Sequence, residues 1–279
     1  MHGRLTGRLS GRRTLLMGVV ALAAALAAVA VAGHALAVAA AATDFAQVSL
    51  APSIEHPFGT DWMGRDMLAR TLAGLSTSIA VGLSAAVVSS VIALALAAAA
   101  VTLGPRVDAA VEWLVDLVMG IPHIVLLILV SYALGRGAAG VLAGIALTHW
   151  PSLTRVLRAE MLQVAEQPFM AASRSLGVSR ARLVLAHMVP HVLPQYLVGL
   201  ALLFPHAILH EASITFLGFG LSPEQPAIGV ILSESMAYLT AGSWWLAVFP
   251  GVALVAVVLA FERVGSLLRN LVSREGVQA

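Results

Sequence analysis

The chain contains no cysteine and no lysine. Without thiols there is no disulfide framework, no thiolate metal site and no thiol nucleophile. All sixteen basic residues are arginine. That removes Schiff-base chemistry and a P-loop lysine, so the chain does not bind ATP in the usual way. Charge is also scarce. Only 11% of the 279 residues are charged, against about a quarter in an ordinary globular domain, too few to cover a soluble fold of this size. Disorder is excluded by the 59% of hydrophobic residues, because disordered segments combine low hydrophobicity with high charge. A net charge of +2 gives no case for nucleic acid. The remaining class is an all-α, polytopic membrane protein.

The few charges are clustered. Uncharged stretches run 14–43, 71–105, 117–135, 137–154, 183–210 and 235–261, with lengths of 30, 35, 19, 18, 28 and 27 residues. A spanning helix needs about 20 apolar residues, so the spacing predicts six transmembrane helices. In lipid each must satisfy its own backbone, which excludes isolated strands. The first run follows Arg4, Arg8, Arg12 and Arg13 as a signal peptide would. Its apolar length, 28 residues from Leu15 to Ala42, exceeds the 7–15 of a signal core and favours a retained helix.

With six crossings and a cytoplasmic N-terminus, thirteen arginines fall inside and only Arg65, Arg70 and Arg136 outside. This is the expected positive-inside bias, with both termini cytoplasmic. The organisation is then a cytoplasmic tail 1–13, a first helix 14–43, an external loop 44–70, a core 71–270 carrying a cytoplasmic loop 155–190, and a tail 271–279.

Two loops are longer than plain connectors. The outer one contains His56-Pro57-Phe58-Gly59-Thr60-Asp61-Trp62-Met63-Gly64-Arg65-Asp66. Thr60 or Asp61 can cap a following helix, and Asp61–Arg65 and Asp66–Arg70 have the i,i+4 spacing of acid–base pairs. An interfacial helix is expected there. The inner loop carries five arginines and reads Gln167-Pro168-Phe169-Met170-Ala171-Ala172-Ser173-Arg174-Ser175-Leu176-Gly177. Two short helices are expected, broken at Pro168 and stopped at Gly177, with Ser179 capping the next. Phe169, Met170 and Leu176 offer apolar knobs, and the small residues 171–173 allow close approach. Two readings fit: a docking element for a cytoplasmic partner, or a basic loop on anionic lipid.

These loops resemble the permease subunit of ABC importers for peptides and nickel, the DppC/OppC/NikC group. The outer segment is similar to that family's H-P-x-G-T-D-x-x-G-R-D at every fixed position. The inner one resembles the EAA motif, with Ala171-Ala172-Ser173 at the triplet and Arg174, Leu176, Gly177 and Pro190 retained; the Glu is absent. Glu211-Ala212-Ser213-Ile214-Thr215-Phe216-Leu217-Gly218-Phe219-Gly220 resembles E-A-x-x-x-F-L-G-x-G. Phe249-Pro250-Gly251 and the stretch from Phe261 to Arg269 follow the family's last helix.

The resemblance implies a type I ABC importer permease fold in the bacterial inner membrane. Coupling helices formed by Phe169, Met170, Ala171, Ala172, Ser173, Arg174, Leu176 and Gly177 would sit on an ATPase. Partners would be a homologous permease in a heterodimer, two ATPase subunits and an extracytoplasmic substrate-binding protein. ATP and Mg would be bound by the ATPases, and this chain would hold no cofactor and perform no covalent chemistry.

His206 and His210 share a helix face next to Glu211. An i,i+4 imidazole pair suits a borderline metal such as Ni²⁺ or Zn²⁺, and polar residues inside a membrane point to function. These three residues are the expected substrate pathway, with His206 and His210 as the metal pair. Thr148-His149-Trp150 also resembles the nickel branch. Interhelical hydrogen bonding is the alternative role for the pair. His34 and His123 read as single structural residues, and His187 and His191 as interfacial. The expected solute is nickel or a metal chelate, with di- or oligopeptides as the alternative. Glu234 and Trp244–Trp245 read as ordinary interfacial residues, Pro122 and Pro250 as helix kinks, and Ala212–Pro223 as a segment that is re-entrant or packed against the partner permease. Competing classes fare worse. An intramembrane metalloprotease lacks the second His after His210-Glu211, and a secondary transporter lacks the internal repeats.

Overall fold

A computed structural model describes residues 2–275, with side chains for 13–272. The N-terminal arginines before Arg13, and most of the expected C-terminal tail, lie outside the described side chains. The helices are α1 (His2–Ala35), α2 (Ala37–Ala41), α3 (Met67–Thr102), α4 (Pro105–Gly120), α5 (His123–Ala133), α6 (Ala138–Thr148), α7 (Trp150–Ala165), α8 (Pro168–Ser175), α9 (Arg180–Leu183), α10 (Val189–Phe216), α11 (Ile228–Leu239) and α12 (Trp245–Glu275). A π-helical turn, Val184–Met188, joins α9 to α10.

Among the described residues four helices are long and apolar enough to cross a membrane: Arg13–Ala35, Met67–Thr102, Arg180–Phe216 and Trp245–Val272. The bent pair α4–α5 makes a fifth. The expected span 137–154 is divided at His149 into α6 and α7. The break between α4 and α5 is sharper than a kink, at 99°. Pro122 forces it: Ile121 is pushed to extended geometry (φ −93°, ψ 137°), as the residue before a proline must be.

The central post is α3, on which α1, α6, α7 and α10 all pack. Its contact faces are small. Ala85, Ala86, Ala93 and Ala97 are fully buried, and a Cβ on Gly82 would stand 3.3 Å from the backbone of Ile208. Small residues let helix backbones approach where lipid provides no hydrophobic drive. Among the described residues two large apolar clusters result. One, near the 44–66 loop, gathers Leu127, Ile145, Phe204, Ile208, Ile231 and Leu246. The other, near α8, gathers Val115, Trp150, Leu157, Met161, Met170 and Met188. At the α8 end Arg158 forms a bidentate pair with Asp108 (2.5 and 2.6 Å), and Arg155 contacts Asp116. These ion pairs are the bolts between α4 and α7.

The outer segment corrects an expectation. No helix forms among residues 42–66; the chain there is a series of turns. The Asp61–Arg65 pair exists at 2.7 Å, but inside a turn. The Asp66–Arg70 pair does not form. Asp66 instead caps α3 by accepting from Ala69 N (2.8 Å) and bonds His56 Nδ1 (2.8 Å). Gly64 explains why a helix fails: its φ is +72°, and a Cβ would fall 1.7 Å from the Asp44 carbonyl oxygen. A Gly64→Ala variant is expected to lower the unfolding midpoint, by more than the roughly 1 kcal/mol of a Gly→Ala change at an incompatible φ, because the loop backbone must also move. Thermal unfolding of the detergent-solubilised protein, followed by tryptophan fluorescence, measures this.

For the segment Ala212–Pro223 the re-entrant reading is corrected. Residues up to Phe216 are the last turn of α10, which ends in a Schellman motif: Phe219 N bonds Ile214 O (2.9 Å) and Gly218 N bonds Thr215 O (3.0 Å), with Gly218 at φ +83°. The motif stops the helix by satisfying its last carbonyls. The final span also starts later than the uncharged run suggests, at Trp245 rather than at 235.

Candidate functional site

A cavity of about 510 Å³ lies along α10, bounded by α4, α5, α7 and α12. Its walls on α10 run from Gln195 through Gly199 and His206 to His210, a rise of about 22 Å at 1.5 Å per residue. The wall is mostly aliphatic, with Ser152, Gln195, Arg269 and four histidines as its main polar groups. Gly199 makes room for Leu153 of α7, since a Cβ there would be 2.3 Å from Leu153 Cδ1. Arg269 and Gln195 lie toward the α8 end, and the histidines lie deeper.

The pairing of these histidines differs from the helical-face expectation. His206 and His210 line the same cavity, but His206 is exposed and only its carbonyl meets His210, accepting from Nδ1 at 2.7 Å. His210 instead joins His149 and His123, with ring centroids 4.5, 4.6 and 5.0 Å apart and planes crossing at 75–81°. One ligand-capable atom from each lies within 4.8 Å of the others. His149 is largely buried and fixed by Ile145 O (3.0 Å) and Thr148 Oγ1 (3.2 Å), both on Nδ1. His123 was expected to be a lone structural residue. It reaches the cluster because the 99° bend turns the start of α5 toward α6 and α10, and no local periodicity announces that. Glu211, expected on the pathway, does not line this cavity. Its carboxylate is fully buried and accepts from Thr215 Oγ1 (3.0 Å) inside α10.

At the other end of the cavity-forming helices, α8 begins at Pro168 and ends in a second Schellman motif. Val178 N bonds Ser173 O, Gly177 N bonds Arg174 O, and Gly177 has φ +77°. Ser179 caps α9 by accepting from Arg182 N. Leu176 is 84% exposed and Phe169 46%, and Ala171, Ala172, Arg174 and Gly177 are exposed beside them, with Ser173 half-buried. Met170 is the exception. Expected as an exposed knob, it is fully buried in the apolar cluster with Met161 and Met188, so it anchors α8 to the bundle. Arg174 folds back toward the carbonyl of Ala165.

Residues 89–274 match the family of binding-protein-dependent transport system inner membrane components. The chain belongs to that family. It is similar to a putative peptide transport system permease protein of Brucella suis, 34% identical over 220 residues, covering 79% of this chain and 74% of the relative. A putative peptide permease protein of the same organism is 37% identical over 230 residues, covering 81% and 76%. The dipeptide transport system permease protein DppC of Bacillus subtilis is 28% identical over 222 residues, covering 80% and 69%. The chain is therefore a permease subunit of the ABC importers of the peptide and nickel group, a multi-pass inner-membrane protein and not itself an enzyme. Importers of this kind work with ATPase and substrate-binding subunits.

Proposed function

We propose that this permease carries di- or oligopeptides. The observation that supports this most strongly is that relatives aligned over about four-fifths of the chain bear peptide-permease names. They favour peptides over the nickel or metal-chelate reading drawn from His206 and His210. The cavity is compatible with such cargo: it is long, mostly aliphatic, and carries a few polar groups that can meet peptide amides and termini.

In this reading the cavity is half of a pathway completed by a homologous permease. An extracytoplasmic binding protein delivers peptide from the side of the 44–66 loop. The exposed face of α8, with Phe169, Ala171, Ala172, Arg174, Leu176 and Gly177, seats in a groove on one of two ATPases, which hold the ATP and Mg; this chain holds no cofactor. ATP-driven closure of the ATPases rocks the two permeases between inward and outward openings. Both termini and α8 are cytoplasmic, in keeping with the thirteen-to-three division of the arginines.

Uptake of a labelled dipeptide and of ⁶³Ni²⁺, compared in cells with and without this chain, tests the cargo. Loss of peptide accumulation with nickel uptake unchanged is the expected result. Loss of nickel accumulation alone would overturn the proposal.

A further inference from the structure

We infer that His123, His149 and His210 form a binding site for a borderline divalent cation of the Zn²⁺, Co²⁺ or Ni²⁺ class, using one nitrogen from each of three helical elements. The inference goes beyond the cargo reading and does not depend on it.

Four observations support it. First, the three donors come from α5, the α6–α7 junction and α10, yet lie within 4.8 Å of one another. His149 Nε2 and His210 Nδ1 are 3.3 Å apart. A tetrahedral ion with bonds of about 2.0–2.1 Å separates its nitrogens by about 3.3 Å, so small ring rotations suffice to converge the third ligand. Second, one ring has its outer partner in place. His149 Nδ1 donates to Ile145 O, which puts the proton on Nδ1 and turns the Nε2 lone pair toward His210 Nδ1, the atom that would exchange its bond to His206 O for the ion. A backbone carbonyl on the far nitrogen is the usual support of a metal-bound imidazole.

Third, His123 Nε2 is buried with no hydrogen-bond partner among the described residues. An unsatisfied buried nitrogen is destabilising, and a cation would satisfy it. Fourth, the donor set has chemical selectivity. Three imidazoles without a carboxylate suit Zn²⁺, Ni²⁺ or Co²⁺ and not Mg²⁺ or Ca²⁺, which require oxygen ligands. The neighbouring Glu211 is turned away and bonded to Thr215. All three histidines line the cavity, so a fourth coordination position faces it and is open to water or to a carboxylate of a passing solute.

The test uses the purified, assembled transporter without a polyhistidine tag, stripped with EDTA and titrated with Co²⁺. Visible absorption reports tetrahedral coordination, elemental analysis the stoichiometry, and Zn²⁺ serves as competitor. One Co²⁺ per copy of this chain, displaced by Zn²⁺, is expected. His149→Ala and His210→Ala should each weaken binding at least about 10-fold, as should His123→Ala, while His206→Ala leaves it unchanged. Because an alanine could disturb the bundle, His123→Gln, the mildest change, is paired with a thermal-shift measurement. Co²⁺ should raise the midpoint of the parent protein and not that of the variant. Absence of Co²⁺ binding in the parent, equal binding in the His123/His149/His210 triple variant, or binding lost in His206→Ala instead would each overturn the site. Peptide uptake is a separate measurement, so failure of the cargo proposal leaves this result interpretable.

Discussion

Replacing Asp61 by Ala is expected to reduce folded protein more than any other single change in the outer loop, by about 3–5 kcal/mol, the loss for removing one partner of a buried ion pair. The carboxylate is fully buried and accepts from four donors. Oδ1 takes Met63 N (2.8 Å) and Arg65 N (2.9 Å), and Oδ2 takes Arg65 Nε (2.7 Å) and Arg70 Nη1 (2.5 Å). Arg70 itself is 4% exposed and continues to Glu234 on α11 at 2.8 Å. Both guanidinium groups lie over Trp62, whose ring stacks on Tyr238 of α11 at 4.6 Å. Without Asp61, Arg65 and Arg70 keep only Glu234 between them, and the loop loses its link to the start of α3. Glu234→Gln is the contrast. It is half-buried, Arg70 keeps Asp61 when it is changed, and the expected loss is correspondingly smaller. Unfolding midpoints of the two variants in detergent, measured side by side, check the ranking. Equal midpoints for Asp61→Ala and the parent would remove the claim that this cluster holds the loop.

That cluster also shows what a charge pattern can and cannot reveal. The uncharged runs located α1, α3, α10 and α12, because long apolar stretches admit few other structures in lipid. They misplaced the boundaries wherever a charge was neutralised or a break was uncharged. Arg70 marked the end of a loop by composition, yet α3 begins at Met67 and contains it, since Asp61 and Glu234 cancel its charge. Conversely Ile121-Pro122 and Thr240-Ala241-Gly242-Ser243 carry no charge and interrupt helices at both places. The glycines behind the family motifs were legible as residue types, and their reason is now geometric. Gly177 and Gly218 terminate α8 and α10 at positive φ, and Gly59 and Gly64 occupy turns that a Cβ would obstruct. The histidine cluster was only half visible. Helical spacing pairs His206 with His210, but contact between His210, His149 and His123 depends on three helices meeting, which no local period encodes.

Changing Leu176 and Phe169 together to Asp is expected to abolish most uptake while leaving the permease folded. The two side chains are the large apolar residues that α8 and its cap expose, and burying each against a partner contributes about 1.5–3 kcal/mol. Losing both should weaken ATPase association on the order of 100-fold or more, since about 1.4 kcal/mol is tenfold. The triplet here is Ala171-Ala172-Ser173, with no acidic side chain to add a salt bridge. If α8 seats on the ATPase as proposed, apolar contact and close backbone approach carry the attachment, and the double variant should be more damaging than an Arg174→Ala change. Met170→Ala separates attachment from folding. Its side chain is fully buried with Met161 and Met188, so truncation should lower stability by about 2–5 kcal/mol and reduce uptake only through loss of protein. Co-purification of the ATPases with each variant, alongside its unfolding midpoint, distinguishes the two effects. Retention of the ATPases by the Leu176/Phe169 double variant at parental levels would show that α8 is not the surface they grip.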